Sequence, residues 1–165
     1  MPIDRTAFTK ALAQVPSPVT IITTLDAHGT PWGFTASSFC SLSLSPSLVL
    51  VCLAKSAASY DTFSRTDRFL VNVLSEEHTD TAQHFATPAP DKFAHSAMRP
   101  CELGLPGLPD ASARLACHTN SILDGGDHSI LIGQVEATAV SSHTSLTYYQ
   151  RQFGIPRPHA FQETR

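Results

Sequence analysis

Charge is scarce in this chain, and lysine is the scarcest part of it. Charged residues fill 15% of the 165 positions, against about 25% in an ordinary soluble domain. Lys10, Lys55 and Lys92 are the three lysines, the eight arginines are scattered, and the net charge is −3. No basic stripe exists to track a phosphate backbone, so nucleic acid is excluded as an expected partner. Exposed faces normally hold Lys and Glu, so a surface this poor in them points to an oligomer or a covering ligand. Long apolar runs are also missing. The longest fall far short of the roughly 20 residues that span a membrane, and Met1-Pro-Ile-Asp-Arg-Thr lacks the pattern of a secretory leader. Cys40, Cys52, Cys101 and Cys117 have neither the close pairs of a zinc site nor the density of a disulfide scaffold. Cys52 and Cys117 lie in apolar runs, where a buried free thiol is the expected state. A cytoplasmic enzyme or binding protein is therefore expected. His78 and His84 are spaced so that one helix face cannot present both to a metal. No Ser-His-Asp order and no carboxylate pair stands out, so neither metal site nor nucleophile is expected. No Gly-x-Gly-x-x-Gly follows the first strand and no phosphate-loop Gly-Lys-Ser occurs, which disfavours a parallel nucleotide-binding sheet.

What the chain does have is hydroxyl groups in an unusual place. From Gly33 to Ser45 it reads Gly-Phe-Thr-Ala-Ser-Ser-Phe-Cys-Ser-Leu-Ser-Leu-Ser, with small polar side chains at nearly every second position. Such a strand either bonds its serines to local backbone at a sheet edge or faces something polar. Around it, Ile3 to Val15 places Ile3, Ala7, Phe8, Ala11 and Val15 on one face of a short helix stopped by Pro16. Strands are expected at Val19–Leu25, Pro31–Phe39, Leu48–Leu53, Phe69–Leu74, Ala113–Thr119 and Ser129–Ala137, with a hairpin turn at Asp26-Ala-His-Gly29. Ser56–Thr66 reads as a helix capped by Ser56, and Glu77–Ala86 as another. The long Pro- and Gly-rich loop Thr87–Pro109 suggests function or contact with a partner. The tail after Tyr149 reads as irregular. No repeat or linker divides the chain, so a single domain over 1–165 is expected, with its core at about 4–153. Two hairpin-rich halves with helices between them predict a mainly β, closed antiparallel barrel with a few peripheral helices.

Three segments carry candidate chemistry. In Leu53-Ala-Lys-Ser-Ala-Ala-Ser-Tyr-Asp61 a strand ends and a helix begins, so Ser56 and Ser59 either cap an ordinary helix or help its free N–H groups hold a phosphate. Gly125-Gly-Asp-His128 sets a histidine at the mouth of a strand, as a substrate-orienting group or as a hairpin His bonded locally to Asp127. Asp91-Lys-Phe93 offers a cation beside an aromatic ring, or a solvated loop lysine.

Together with Thr20-Ile-Ile-Thr-Thr, Leu48-Val-Leu-Val-Cys-Leu and Phe69-Leu-Val-Asn-Val-Leu, these segments in this order resemble the small flavin reductases of two-component flavin-dependent monooxygenases. The resemblance covers about residues 4 to 153. It implies a homodimeric split β-barrel with Greek-key elements that uses NADH or NADPH to reduce FMN or FAD for a partner monooxygenase. It further implies that Thr35, Ala36, Ser37, Ser38 and Ser41 line the isoalloxazine and ribityl side. Cys52, Leu53, Ala54, Ser56 and Ser59 then wrap the ribityl-phosphate end, Lys92 and Phe93 close over the phosphate or adenylate side, and His128 lies by the nicotinamide. Many members of that family carry Asn where this chain has Ser37. Two other readings stay open on the residues alone: an oxidase like those acting on pyridoxamine phosphate, which would need more Arg and Lys for its substrate, and a non-enzymatic flavin- or haem-binding module.

Overall fold

A computed structural model of the chain describes residues 2–159, so the expectation for the last six residues of the tail lies outside them. Seven strands form one antiparallel sheet: β1 (Thr20–Leu25), β2 (Pro31–Ala36), β3 (Cys40–Leu44), β4 (Ser47–Ala54), β5 (Arg68–Val73), β6 (Ala113–Gly125) and β7 (His128–Val140), in the spatial order β2-β1-β5-β6-β7-β4-β3. The ladder is open among the described residues, with β2 and β3 as its edges. It is nevertheless rolled. Laid flat, seven strands put their edges about 29 Å apart. The link from Ala36 to Cys40 is four Cα steps, which reach about 14 Å at most. The two edges must therefore curl toward each other.

The six expected strands all form within this sheet, which holds one more than the sequence indicated. The Gly33–Ser45 run breaks at Ser37–Phe39 and restarts as β3, which pairs with β4 on the far edge. The β6 and β7 strands extend to 13 residues each around the two-residue turn Gly126-Asp127. Gly126 holds φ +80°, the left-handed conformation that such a turn asks of its first residue.

Side chains divide between two faces, so the near-continuous apolar runs are covered on both sides. Inside the curl, Ile22, Phe34, Val51, Leu53, Phe69, Val71 and Leu131 form one buried cluster, plugged by Phe63. Phe63 lies edge-on to Phe34, with ring centroids 4.9 Å apart. Outside it, Val19, Ile21, Leu74, Ala82 and Phe85 form a second cluster under helix α3 (Thr79–Ala86). Buried threonines of β1 spend their hydroxyls on carbonyl oxygens: Thr20 donates to Ala36 (2.7 Å) and Thr24 to Arg68 (2.6 Å).

The helices differ from the sequence expectation. Helix α1 (Arg5–Leu12) forms and is capped by Asp4, but it buries nothing; Ile3, Phe8, Leu12 and Val15 are about half exposed or more. The expected helix Ser56–Thr66 shrinks to α2 (Tyr60–Phe63). Ser56 caps nothing, because the chain first makes two turns closed by Ala57 N–H to Ala54 O and Tyr60 N–H to Ala57 O. The third helix is preceded by a 3₁₀ turn, Glu76–His78, whose Ser75 cap exchanges bonds with His78. The tail expectation is corrected as well: Gln152–Gly154 pairs with Thr147–Tyr149, because Tyr148 and Phe153 pack ring against ring.

Candidate functional site

A cleft of about 560 Å³ opens along the free edge of β2. Its wall includes consecutive residues from Thr30 to Ser38. Alternate residues of a strand face opposite sides, so a continuous run can line one cavity only along the strand's edge. There the unpaired backbone N–H and C=O groups are available to a ligand.

The end of β4 and the turn after it form the facing wall. Sheet register sets Ala54 opposite His128, and Lys55 N–H donates to Asp127 O at 2.9 Å. The Lys55 ammonium forms an ion pair with Asp124, pinning the Gly125–His128 turn to the β4 exit. Tyr60 and Ser129 share a hydroxyl–hydroxyl hydrogen bond of 2.8 Å, which fixes α2 to β7. The third wall is the segment after α3, up to Phe93.

The structure brings together every residue that the sequence singled out for the site except Ser41. Thr35, Ala36, Ser37, Ser38, Cys52, Leu53, Ala54, Ser56, Ser59, Lys92, Phe93 and His128 all line this cleft. Ser41 lies away from it on β3, exposed and paired with Val49, because the break at Ser37–Phe39 carries the chain to the opposite edge. The helix-start argument for a phosphate is also corrected: a four-residue helix beginning at Tyr60 offers no useful dipole to Ser56.

The side chains are committed to different degrees. Thr35 donates its hydroxyl to Ala82 O (2.7 Å), tying the strand to α3 and leaving backbone for a ligand. Ser38 bonds both backbone groups of Cys52. Among the described residues the hydroxyls of Ser37, Ser56 and Ser59 have no protein partner, and Ser59 is only 5% exposed. The Ser59 hydroxyl is not sealed away from solvent, so it is open to a ligand that enters the cleft. Lys92 donates to Phe85 O (2.8 Å) at the end of α3, and burial lowers its pKa. Phe93 stands edge-on to Phe85, centroids 5.0 Å apart, and both rings close on the bare backbone of Gly33.

His128 makes the local hairpin bond, from Nδ1 to Asp127 Oδ1 at 2.6 Å, and also lines the cleft. The hydrogen bond from His128 holds the Asp127 carboxyl below its usual range. An ionised carboxylate only accepts, so the proton of a neutral imidazole sits on Nδ1 and leaves Nε2 as an acceptor.

A family model described as the flavin reductase like domain matches residues 12–156. The chain belongs to the flavin reductase family. Over 138 residues it is 41% identical to the reductase component of a flavin-dependent trigonelline monooxygenase from Acinetobacter baylyi, covering 84% of this chain and 44% of that one. It is 37% identical to an NADH:riboflavin 5'-phosphate oxidoreductase from Streptomyces pristinaespiralis, covering 92% and 88%. Among solved structures, an NADH:FAD oxidoreductase from Streptomyces globisporus, in complex with NAD and FAD fragments, superposes with a TM-score of 0.86 at 31% identity, covering 97% and 95%. The chain thus spans about half the length of relatives such as the Acinetobacter protein, and nearly all of others. A mainly β flavin reductase domain is what sequence, fold and neighbours share.

Residues that the sequence reading assigned no site role also line the cleft, above all Trp32 and the Pro88–Pro90 segment. Asp26 offered a signal for Trp32: a turn aspartate six positions ahead of the sole tryptophan sits across the hairpin from it.

Proposed function

We propose that this chain is an NAD(P)H:flavin oxidoreductase that reduces FMN or FAD and hands reduced flavin to a partner monooxygenase. The observation that carries the reading is the single cleft in which the open β2 edge, the unpartnered Ser59 hydroxyl and the Asp127–His128 pair converge. These residues fit a flavin: a strand edge offers backbone donors and acceptors to a flat heteroaromatic ring, and Ser56 and Ser59 offer hydroxyls to a ribityl phosphate.

When bound, flavin supplies the N5 acceptor for hydride from nicotinamide C4. The protein's part is to hold the two rings together and to place donors where negative charge grows. Backbone N–H groups at Ser37 and Ser38 are assigned that second role. His128 Nε2 accepts from the nicotinamide carboxamide and orients it, with Asp127 fixing the ring. Lys92 and Phe93 close the phosphate side.

Three features extend the proposal. The sheet closes as a split barrel, supported by the short Ala36–Cys40 link and by a core cluster drawn from both halves of the sheet. The active form is a homodimer acting as one domain per chain, supported by the apolar side chains that α1 and Leu44 leave exposed. The setting is the cytoplasm, supported by four free thiols. No helix among the described residues is long and apolar enough to cross a membrane.

Oxidation of NADH and of NADPH, measured with FMN, FAD and riboflavin in turn, tests the activity. Fast turnover with free flavin supports it. A tightly held flavin inert to both nucleotides sinks it and leaves a binding module.

A further inference from the structure

Trp32 is the sole tryptophan of the chain. It lines the cleft, half-buried against the inner core cluster. Its indole is fixed. Nε1–H donates to Asp26 Oδ2 at 3.1 Å, while Oδ1 of the same carboxylate accepts the backbone N–H groups of His28 (2.8 Å) and Thr30 (2.9 Å). The turn thus holds the carboxylate, and the carboxylate holds the ring. These bonds, the one from Trp32 foremost, keep the Asp26 carboxyl ionised below its usual range.

An indole whose N–H is already spent can offer a ligand only its aromatic surface. A ring held in place in advance loses little freedom on stacking. Position says which ring it meets. With the isoalloxazine at Ser37 and Ser38, Trp32 lies five residues back along the strand, about 16 Å at 3.3 Å per residue. That is beyond the reach of the tricyclic ring, at the Thr30–Trp32 end of the same cleft, where the far half of a dinucleotide is left to lie if its ribityl phosphate sits at Ser56 and Ser59.

We propose that Trp32, positioned by Asp26, is the stacking platform for the adenine of FAD and makes this cleft prefer FAD over FMN. The inference rests on the flavin reading above and names the flavin that reading leaves open. Adenine also occurs in NADH, so the test separates the two sources.

Dissociation constants for FMN and FAD are measured by flavin fluorescence on the wild-type protein, Trp32→Leu, Trp32→Phe and Asp26→Asn, together with the KM for NADH. The wild type is expected to bind FAD about tenfold more tightly than FMN, the size of a base–aromatic stack. In Trp32→Leu that ratio falls toward one through loss of FAD affinity. Trp32→Phe, which keeps an aromatic face, recovers most of it, and Asp26→Asn falls between. AMP supplies an arm free of folding effects, because it shifts the fluorescence of Trp32 in the wild type whereas inorganic phosphate does not. A wild-type ratio near one, an unchanged ratio in Trp32→Leu, or an effect confined to the NADH KM overturns the proposal and spares the reductase reading. A wild type that binds neither flavin overturns the reductase reading itself.

Discussion

The hydroxyl of Ser38 accepts the N–H of Cys52 at 3.0 Å and donates to the Cys52 carbonyl at 3.3 Å. One side chain thereby supplies the two bonds that a neighbouring strand would make, in the gap where the edge β2 meets β4. Ser38→Ala leaves both Cys52 groups without that partner. A loss of about 0.5–1.5 kcal/mol in urea unfolding is expected, together with weaker flavin binding by fluorescence titration. Unchanged values for both would show that the bond is incidental.

His128→Ala is expected to raise the NADH KM about two- to tenfold, the worth of one hydrogen bond, with a smaller change in flavin affinity. Asp127→Asn should follow in the same direction, since its amide no longer fixes the proton on Nδ1. Steady-state kinetics in which flavin binding collapses while the NADH KM holds would contradict this assignment.

A Cβ on Gly33 would sit 3.1 Å from the Ile22 carbonyl, 3.1 Å from the Phe85 ring and 3.2 Å from the Phe93 ring. The carbonyl belongs to the sheet, so the rings must yield. Gly33→Ala should displace Phe93 from the cleft wall and weaken flavin binding, at about 1–3 kcal/mol of stability. Isothermal titration and urea midpoints report the two effects separately.

Arg114 holds Glu102 by two bonds of 2.8 and 2.9 Å and also donates to the carbonyls of Leu108 and Pro109. The guanidinium keeps the Glu102 carboxyl below its usual range. A carboxylate with a lowered folded pKa stabilises the protein above its unfolded value, near 4.3, and loses that contribution as pH falls through the folded value. Glu102→Gln should therefore cost about 1–3 kcal/mol at pH 7. Its urea midpoint should converge on that of the wild type as the pH drops below about 4.

Cys117 is fully buried, and burial pushes its thiol up to about 12. Iodoacetamide at pH 8 should label exposed Cys40 in the folded protein and reach Cys117 only after denaturation, as mass spectrometry of the peptides will show. Labelling of native Cys117 at a comparable rate would mean that β6 opens locally.

Most strand positions were legible because β-branched runs such as Thr20-Ile-Ile-Thr-Thr have few other uses, and turns such as Gly-Gly-Asp announce themselves. The site was legible through resemblance more than through residue chemistry: Ser59 and His128 read equally well as ordinary turn residues until the sheet brought them to one cleft. What stayed hidden depended on distant partners. The outward face of α1 carries a normal amphipathic pattern, and nothing local says that the apolar side finds no cover within the chain. The early turn at Ala57 shortened α2 although the sequence offered a good cap at Ser56. Ser41 shares the alternating pattern of its neighbours, and only the break at Ser37–Phe39 sends it to the other edge. Trp32 escaped notice because its constraint comes from Asp26, across a hairpin.

The link of residues 37–39 between the two sheet edges behaves as a drawstring. Surface loops elsewhere in a protein absorb inserted residues with small penalties, but slack added here would widen the curl and move β2 away from the β4 exit. Insertions at this point should change which ligands fit before they unfold the chain. The length of that link, as much as the identity of any side chain, should therefore bear on what the cleft accepts.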